Sequence, residues 1–176
     1  MVATRRQLKR KPELDSARGM AEWVVGYQTY NAIFKVGELA LLAQRISLPQ
    51  LHLLGVLKKG GGILTTGEIG EAMVKASQTI TGLVDRLEEP GLVERVFDKK
   101  DRRKVWVRMT EKGERKLAEA FPVATRLAEE LSSVLTDEEL RDLQAKLEKL
   151  RSAAMDRLTA ALAQQQARPP AYRREF

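Results

Sequence analysis

The sequence predicts a mainly α-helical fold with a small β-hairpin. Apolar residues recur every three or four positions through most of the 176 residues, which is the spacing of helices that bury one face. Two apolar, β-branched runs, residues 92–97 and 104–109, flank a polar segment, as paired strands do. Two short helical segments directly precede this hairpin. The chain is long enough to bury the core of one ordinary domain.

The first 46 residues predict a basic arm followed by a long helix. Residues 1–15 are cationic, contain Pro12 and lack periodicity, so we expect a flexible arm. Helical spacing then covers residues 16–46. Within this helix four aromatic residues form one stripe, at steps of four, three and four positions: Trp23, Tyr27, Tyr30 and Phe34.

Residues 47–120 predict a series of shorter elements. Ser47 resembles a helix N-cap with Pro49 in the first turn, so a second helix should run to about Leu57. After a glycine loop and a single strand rung, Thr65 or Thr66 can cap a short third helix.

A fourth helix is predicted over residues 78–88, with Ser77 as its cap and Pro90-Gly91 as its end. The third and fourth helices, with their tight connection, have the dimensions of a helix-turn-helix. We expect the apolar side of the fourth helix to be buried: Ile80, Leu83, Val84 and Leu87.

The hairpin comes next, and a helix follows it. In the second strand Val105, Val107 and Met109 share one face, since side chains alternate along a strand. Thr110 can cap the next helix. Pro122 predicts a kink or a break in that helix, because proline lacks the N–H that an α-helix requires.

Helices are also predicted over residues 121–165, with a loose tail at 166–176. Thr136 begins the last helix, whose acidic first turn suits the positive end of the helix dipole. Leucines continue at nearly heptad spacing as far as Leu162. Such a stripe predicts that this helix pairs with other helices.

Composition excludes several kinds of chemistry. Without cysteine, the chain has no disulfides, thiolate metal sites or cysteine-based peroxide sensing. His52 is its single histidine, and the glycine loop lacks the Lys-Ser/Thr of a phosphate-binding motif, so we predict no enzyme, no cofactor and no metal. No apolar run has the length of a membrane span, and the N-terminus does not resemble a secretory signal. We therefore expect a cytoplasmic protein without membrane contact.

The net charge of +7 is concentrated in two places. Residues 1–18 carry six cations and two anions, and residues 92–116 carry ten cations and five anions. One interpretation is two solvated basic surfaces. The other is an attraction for a polyanion such as nucleic acid.

A helix-turn-helix followed directly by a hairpin is the winged-helix arrangement, in which the hairpin is the wing. The residues resemble the MarR (multiple antibiotic resistance regulator) family over about residues 39–117. The matching motifs are LPQLHLLGVL, LTTGEIGEAM, SQTITGLVDRLEEPGLVERV and DKKDRRKVWVRMTEKG. The resemblance implies a transcriptional regulator that binds double-stranded DNA and forms a homodimer through its N- and C-terminal helices. The implied operator is pseudo-palindromic, and the regulator acts as its repressor.

The fourth helix offers polar side chains for reading bases. Its first turns present Ser77, Gln78, Thr79 and Thr81, whose short donors and acceptors suit the major groove. Arg86 is expected to grip phosphate, or alternatively to pair with Asp85 or Glu89. Gly82 departs from the family, which usually has a larger and often basic residue there, so we expect an A·T-rich half-site.

In the wing, the family pattern alternates acids with arginines. The resemblance implies that Asp98 and Asp101 order the tip while Arg102 or Arg103 enters the minor groove. Lys100 stands where the family has its first arginine, and we count it among the DNA-binding residues. The alternative is a solvated loop whose surface ion pairs contribute at most ~1 kcal/mol each.

Members of the family often bind small aromatic ligands between the dimer helices and the DNA-reading region. The resemblance implies an effector site here that could include His52 and the aromatic stripe. The alternative is that these aromatics form core or dimer interface and that His52 is a core residue. A different function also stays open, namely a winged-helix interaction module that docks an acidic protein partner.

Overall fold

The structure is a computed structural model that describes residues 19–97 and 105–167, with side chains as far as residue 165. The described residues divide into two compact units, with the boundary between Leu127 and Ala128. The basic arm, the tip of the wing and the tail beyond residue 167 lie outside the described residues. Among the described helices, none combines the length and apolarity that crossing a membrane requires.

Helix α1 spans Met20–Leu41. Gly19 precedes it in the left-handed region, with φ of 87°, which glycine adopts without steric cost; the described helix therefore begins later than residue 16. The prediction of one helix to residue 46 is also too long. After α1 the chain tightens into the 3-10 helix Leu42–Gln44, and Arg45 turns left-handed with φ of 51°, which ends the helical path.

Helix α2, Leu48–Lys59, begins as predicted after Ser47. The Ser47 hydroxyl accepts a hydrogen bond from the Gln50 N–H at 3.3 Å, and the Gln50 side chain accepts one from the Ser47 N–H at 2.9 Å. Two N–H groups at the start of the helix thereby find partners. The helix continues two residues past the predicted end at Leu57.

Strand β1, Ile63–Thr65, and helix α3, Thr66–Met73, follow. Of the two predicted caps the chain uses Thr65. Its hydroxyl accepts from the Glu68 N–H at 3.2 Å, and the Glu68 carboxylate accepts from the Thr65 N–H at 2.7 Å.

Helix α4, Ser77–Glu88, starts one residue earlier than predicted. The prediction of Ser77 as its cap is wrong, because Ala76 occupies the N-cap and no side chain bonds to the helix start. Val74 turns left-handed, with φ of 51°, and this turn directs the Ala76 carbonyl to accept the first helical N–H groups. Gly91, with φ of 73°, follows the end of the helix as predicted.

Strands β2, Val93–Phe97, and β3, Val105–Met109, form the predicted antiparallel hairpin. Strand β1 pairs with the other edge of β3, so the strand order is β1-β3-β2. Val107 and Met109 are buried on the predicted face.

One apolar core lies within the first unit, and the predicted side of α4 belongs to it. The residues Ile80, Leu83, Val84 and Leu87 are all at most 4% exposed. Other wholly covered core side chains come from α2, α3 and the sheet: Leu53, Leu54, Leu57, Ile69, Val93 and Val107.

Helix α5, Glu111–Ser132, begins after Thr110, whose hydroxyl accepts from the Gly113 N–H at 3.1 Å. Pro122 lies inside this helix, and the predicted break does not occur. Ala120 is buried and Val123 packs against the core, so tertiary contacts on both sides of the proline keep the segment helical.

Helix α6, Asp137–Ala167, belongs to the second unit. Thr136 caps it as predicted: its hydroxyl accepts from the Glu139 N–H at 3.3 Å. The helix extends two residues into the predicted tail. Five of its leucines are at least 41% exposed in the single chain: Leu143, Leu147, Leu150, Leu158 and Leu162.

Candidate nucleic-acid interface

Helix α4 has an apolar side in the core and a polar side in solvent. The four residues predicted to read bases are all exposed: Ser77, Gln78, Thr79 and Thr81. The Thr81 hydroxyl donates to the Ser77 carbonyl at 3.1 Å. The helix therefore presents hydroxyl and amide groups of the size that the major groove can accommodate.

Arg86 lies further along the same helix and is exposed. Its Nε donates to the Gly82 carbonyl at 2.9 Å, so the side chain folds back along the helix. Within the described residues Arg86 forms no ion pair, and Asp85 pairs with Arg95 instead. The predicted alternative, a salt bridge from Arg86 to Asp85 or Glu89, is thus not formed.

Gly82, one helical turn after Gln78, is half-buried in α4. A Cβ built on it would meet, among the described residues, a single side-chain atom within 4 Å, Nη2 of Arg86 at 3.9 Å. The described residues therefore leave room for a Cβ at this position.

Arg95, on β2, joins the hairpin to α4, and no pattern in the sequence indicated this role. Its guanidinium donates to the carboxylates of Asp85 and Glu88, and Nη2 also reaches the Thr81 carbonyl at 3.4 Å. Its backbone N–H donates to Glu88 at 2.9 Å. We call these contacts the Arg95 network. The register that brings β2 beside α4 is non-local, so helical or strand spacing carried no signal for it.

The two carboxylates change the protonation behaviour of this arginine. Partial burial of the guanidinium acts to lower the pKa of Arg95, but the hydrogen bonds and charges of Asp85 and Glu88 outweigh it and raise the pKa. The arginine side chain is 19% exposed. The guanidinium is therefore charged at neutral pH.

Further contacts hold the end of α4 and the strands in place. Gln50 of α2 donates through Nε2 to the Arg86 carbonyl at 3.3 Å. Across the hairpin, Arg108 pairs with Glu94 at 3.1 Å, and both side chains are about half exposed. The Thr110 hydroxyl donates to the Gly91 carbonyl at 2.7 Å.

The predicted wing residues lie outside the described residues: Asp98, Lys100, Asp101, Arg102 and Arg103. Phe97 pairs with Val105 at the end of the hairpin. The wing prediction therefore rests on the sequence alone.

The predicted effector residues lie on α1 and α2. Trp23 and Tyr27 stack with ring centroids 5.8 Å apart, and Tyr30 contacts Phe34 at 6.0 Å. Trp23, Tyr27 and Tyr30 are at least 58% exposed, so they are not part of the core of this chain. His52 is exposed as well, contrary to the alternative that it is a core residue; loss of surrounding water and the charge of Lys75 lower its pKa.

A separate groove of about 710 Å³ opens between α2 and α5. Its walls combine apolar and charged side chains, and the Lys58–Glu114 ion pair, 2.8 Å long, lies at its edge. None of the five predicted effector residues lines it. The lining includes Lys59, Arg115, Leu117, Phe121 and Pro122.

Known proteins similar to this chain share the helix-turn-helix and hairpin arrangement described above. A model of the MarR family matches residues 46–104. The transcriptional repressor MdtR of Bacillus subtilis (strain 168) is 33% identical over 111 residues, which cover 63% of this chain and 71% of MdtR. The chain belongs to the MarR family. It is therefore a transcriptional regulator of the MarR type and not an enzyme.

Other MarR-type relatives align over shorter parts. The Bacillus subtilis regulator YsmB is 36% identical over 89 residues, and the chain spans 61% of its length. Among solved structures, the ligand-free organohalide-sensing regulator RdhR-CbdbA1625 superposes with a TM-score of 0.75 at 22% identity, over 86% of this chain and 90% of that one. A mutant of Escherichia coli MarR complexed with operator DNA superposes with a TM-score of 0.66 at 22% identity, over 77% of this chain and 99% of that one. At these identities the structures establish the MarR winged-helix fold.

Proposed function

We propose that this MarR-family protein is a homodimeric repressor that binds a pseudo-palindromic DNA operator. The observation that carries the proposal is the two-sided character of α4. Its apolar side is in the core, and its exposed side presents Ser77, Gln78, Thr79 and Thr81 together. A recognition helix must be held in this way, with one side packed and the other free, to enter the major groove and contact bases.

The roles of these residues follow from their chemistry. The Gln78 amide can donate to and accept from adenine, and the threonine methyls can contact the methyl group of thymine. Arg86 binds phosphate, since it is exposed and forms no ion pair within the described residues. On the proposed model Lys100, Arg102 and Arg103 supply the contacts of the wing, with an arginine in a narrow A·T-rich minor groove.

A second copy of the chain explains the exposed apolar side chains of the outer helices. Trp23 and Tyr30 of α1 and Leu150 of α6 are each more than half exposed in the single chain. Covering such surface with a two-fold mate removes it from water. The two recognition helices would then lie one DNA turn apart, roughly 34–36 Å, which predicts two half-sites at that spacing.

Repression and ligand release are supported by the relatives. MdtR is named a repressor. RdhR-CbdbA1625 has been solved with 2,4-dichlorophenol bound, and DNA binding by Bordetella bronchiseptica BpsR is regulated by 6-hydroxynicotinic acid. We propose that a small aromatic ligand releases this protein from DNA. The aromatic stripe with His52 and the groove between α2 and α5 are the two candidate sites.

Mobility-shift titration tests the proposal, with genomic fragments that include the region upstream of the protein's own gene. We expect sequence-selective binding that weakens as salt rises, because bound phosphates release counterions. Gln78→Ala should change the base preference, with a loss of about 1–3 kcal/mol at the affected base pair. Gln144→Ala on α6 is the matched control and should bind as the parent does. Absence of any selective, salt-sensitive binding by the parent would disprove the proposed function.

A further inference from the structure

Three groups on one side of α4 converge on a single arginine. Thr81, Asp85 and Glu88 are spaced four and three positions apart, so they lie along the same side of the helix. Arg95 bonds to all three from β2. The Arg95 network therefore spans two turns of α4 and fixes both its rotation and its axial position against the hairpin.

Without Arg95, the negative charges of Asp85 and Glu88 would be unfavourable at their positions on α4. Both lie in the C-terminal half of α4, where the helix dipole disfavours negative charge. Asp85 and Glu88 also stand on the helix that we propose to face DNA, and their side chains are 59% and 36% exposed. A cation that only stabilised the fold could pair with either Asp85 or Glu88. Arg95 instead bonds to both carboxylates, and its backbone N–H also donates to Glu88.

We propose that Arg95 is a positioning residue for sequence-specific DNA binding. It holds the base-reading helix and the hairpin in one relative orientation, so that both engage the same duplex. This inference rests on the proposed function and extends it, because Arg95 is assigned no contact with DNA.

A positioning role and a charge role make different predictions. Arg95→Gln breaks the network but also exposes two carboxylates, which repel phosphate. The double variant Asp85→Asn/Glu88→Gln breaks the network from the other side and leaves an unpaired cation. If Arg95 acts through charge, the double variant binds every duplex more tightly and discriminates as well as before. If it acts through position, discrimination falls in both variants.

The experiment uses the full chain and fluorescence-labelled duplexes. The parent protein first selects a duplex from random-sequence DNA, and a scrambled duplex of equal composition serves as the non-specific probe. The measured quantity is the ratio of the two dissociation constants, at a temperature where the circular dichroism of every variant equals that of the parent. Arg108→Gln is the matched control, because Arg108 lies in the same sheet and pairs with Glu94 but not with α4.

We expect the ratio to fall roughly tenfold in Arg95→Gln and in Asp85→Asn/Glu88→Gln, as loss of a coupled network does. In Arg108→Gln the ratio should stay within about twofold of the parent, since loss of one exposed pair has a small effect. An unchanged ratio in either network variant overturns the inference, and so does an equal fall in Arg108→Gln. If the parent selects no duplex at all, the proposed function fails and the inference fails with it.

Discussion

The region from α2 to β3 and the helix α6 differ in where their apolar side chains find partners. In the first, the short helices and the sheet share one core, and Leu53, Leu54 and Ile80 are wholly covered. In α6, Leu147 and Leu150 keep more than half of their surface in water. Burial of such a side chain stabilises a structure by about 1.5–3 kcal/mol. The first region gains this stabilisation within one chain, while α6 can gain it only from additional contacts.

The difference separates two requirements of the proposed function. Elements that read DNA need a fixed shape before they meet it, and the core together with the Arg95 network provides that shape. Elements that join two chains need apolar surface that stays available, as on α6. Substitutions in these two kinds of element should therefore have separable effects.

The largest effect on stability should come from adding a side chain where the first unit is closely packed, at Gly113. A Cβ on Gly113 would lie 2.1 Å from the Leu92 carbonyl oxygen and 2.9 Å from Met109 Cγ. Because the carbonyl belongs to the backbone, α5 would have to move away from the sheet. We expect Gly113→Ala to lower the free energy of unfolding by about 3 kcal/mol, measured by urea denaturation.

Gly55→Ala is the control for that substitution. Gly55 lies inside α2, and a Cβ there meets nothing within 4 Å. Alanine favours a helix over glycine by up to ~1 kcal/mol, so this variant should be as stable as the parent or more so. Equal unfolding midpoints for Gly113→Ala and the parent would show that the contact at Gly113 does not constrain the fold.

A charge on the leucine stripe should affect assembly and spare the fold of the first unit. Leu150→Glu is expected to raise the dimer dissociation constant by about 100-fold to 10,000-fold, because each of two copies loses roughly 1.5–3 kcal/mol of burial. Sedimentation equilibrium measures this constant. Ser152→Glu adds the same charge at a neighbouring exposed position and should leave it nearly unchanged. A Leu150→Glu protein that dimerises as the parent does would remove Leu150 from the interface.

The smallest effect concerns the start of α6. The backbone N–H and the hydroxyl of Thr136 donate to Glu139 and lower the pKa of that carboxylate. A lowered pKa means that the stabilisation is present above the pKa of the unfolded chain and is lost as pH falls through the folded value. We expect the first turn of α6 to fray in this acidic range, seen as a lower protection factor, which is the intrinsic amide-exchange rate divided by the observed rate. In Glu139→Gln the protection factor at this turn should change less over the same pH range.

Local chemistry explains what the sequence predicted well. Ser47, Thr65, Thr110 and Thr136 cap helices through bonds to residues three positions away, so their roles can be read from neighbouring residues. The alternation in β3 likewise predicted its buried face.

A disfavoured backbone conformation and two sets of non-local contacts explain what the sequence predicted poorly. Ser77 lost the cap position because Val74, a β-branched residue, adopts a left-handed turn that propensity disfavours. Pro122 stays helical because its neighbours pack against the core. The Arg95 network depends on how β2 lies beside α4, which no periodicity encodes.

Gly82 is a position at which α4 can accept a substitution. Among the described residues a Cβ there meets only Nη2 of Arg86, at 3.9 Å, so a side chain can start from it without a clash. On the proposed function, arginine or lysine at position 82 would add a guanine-reading group beside Gln78. Evolution or engineering could thus redirect the regulator to new promoters by altering one codon.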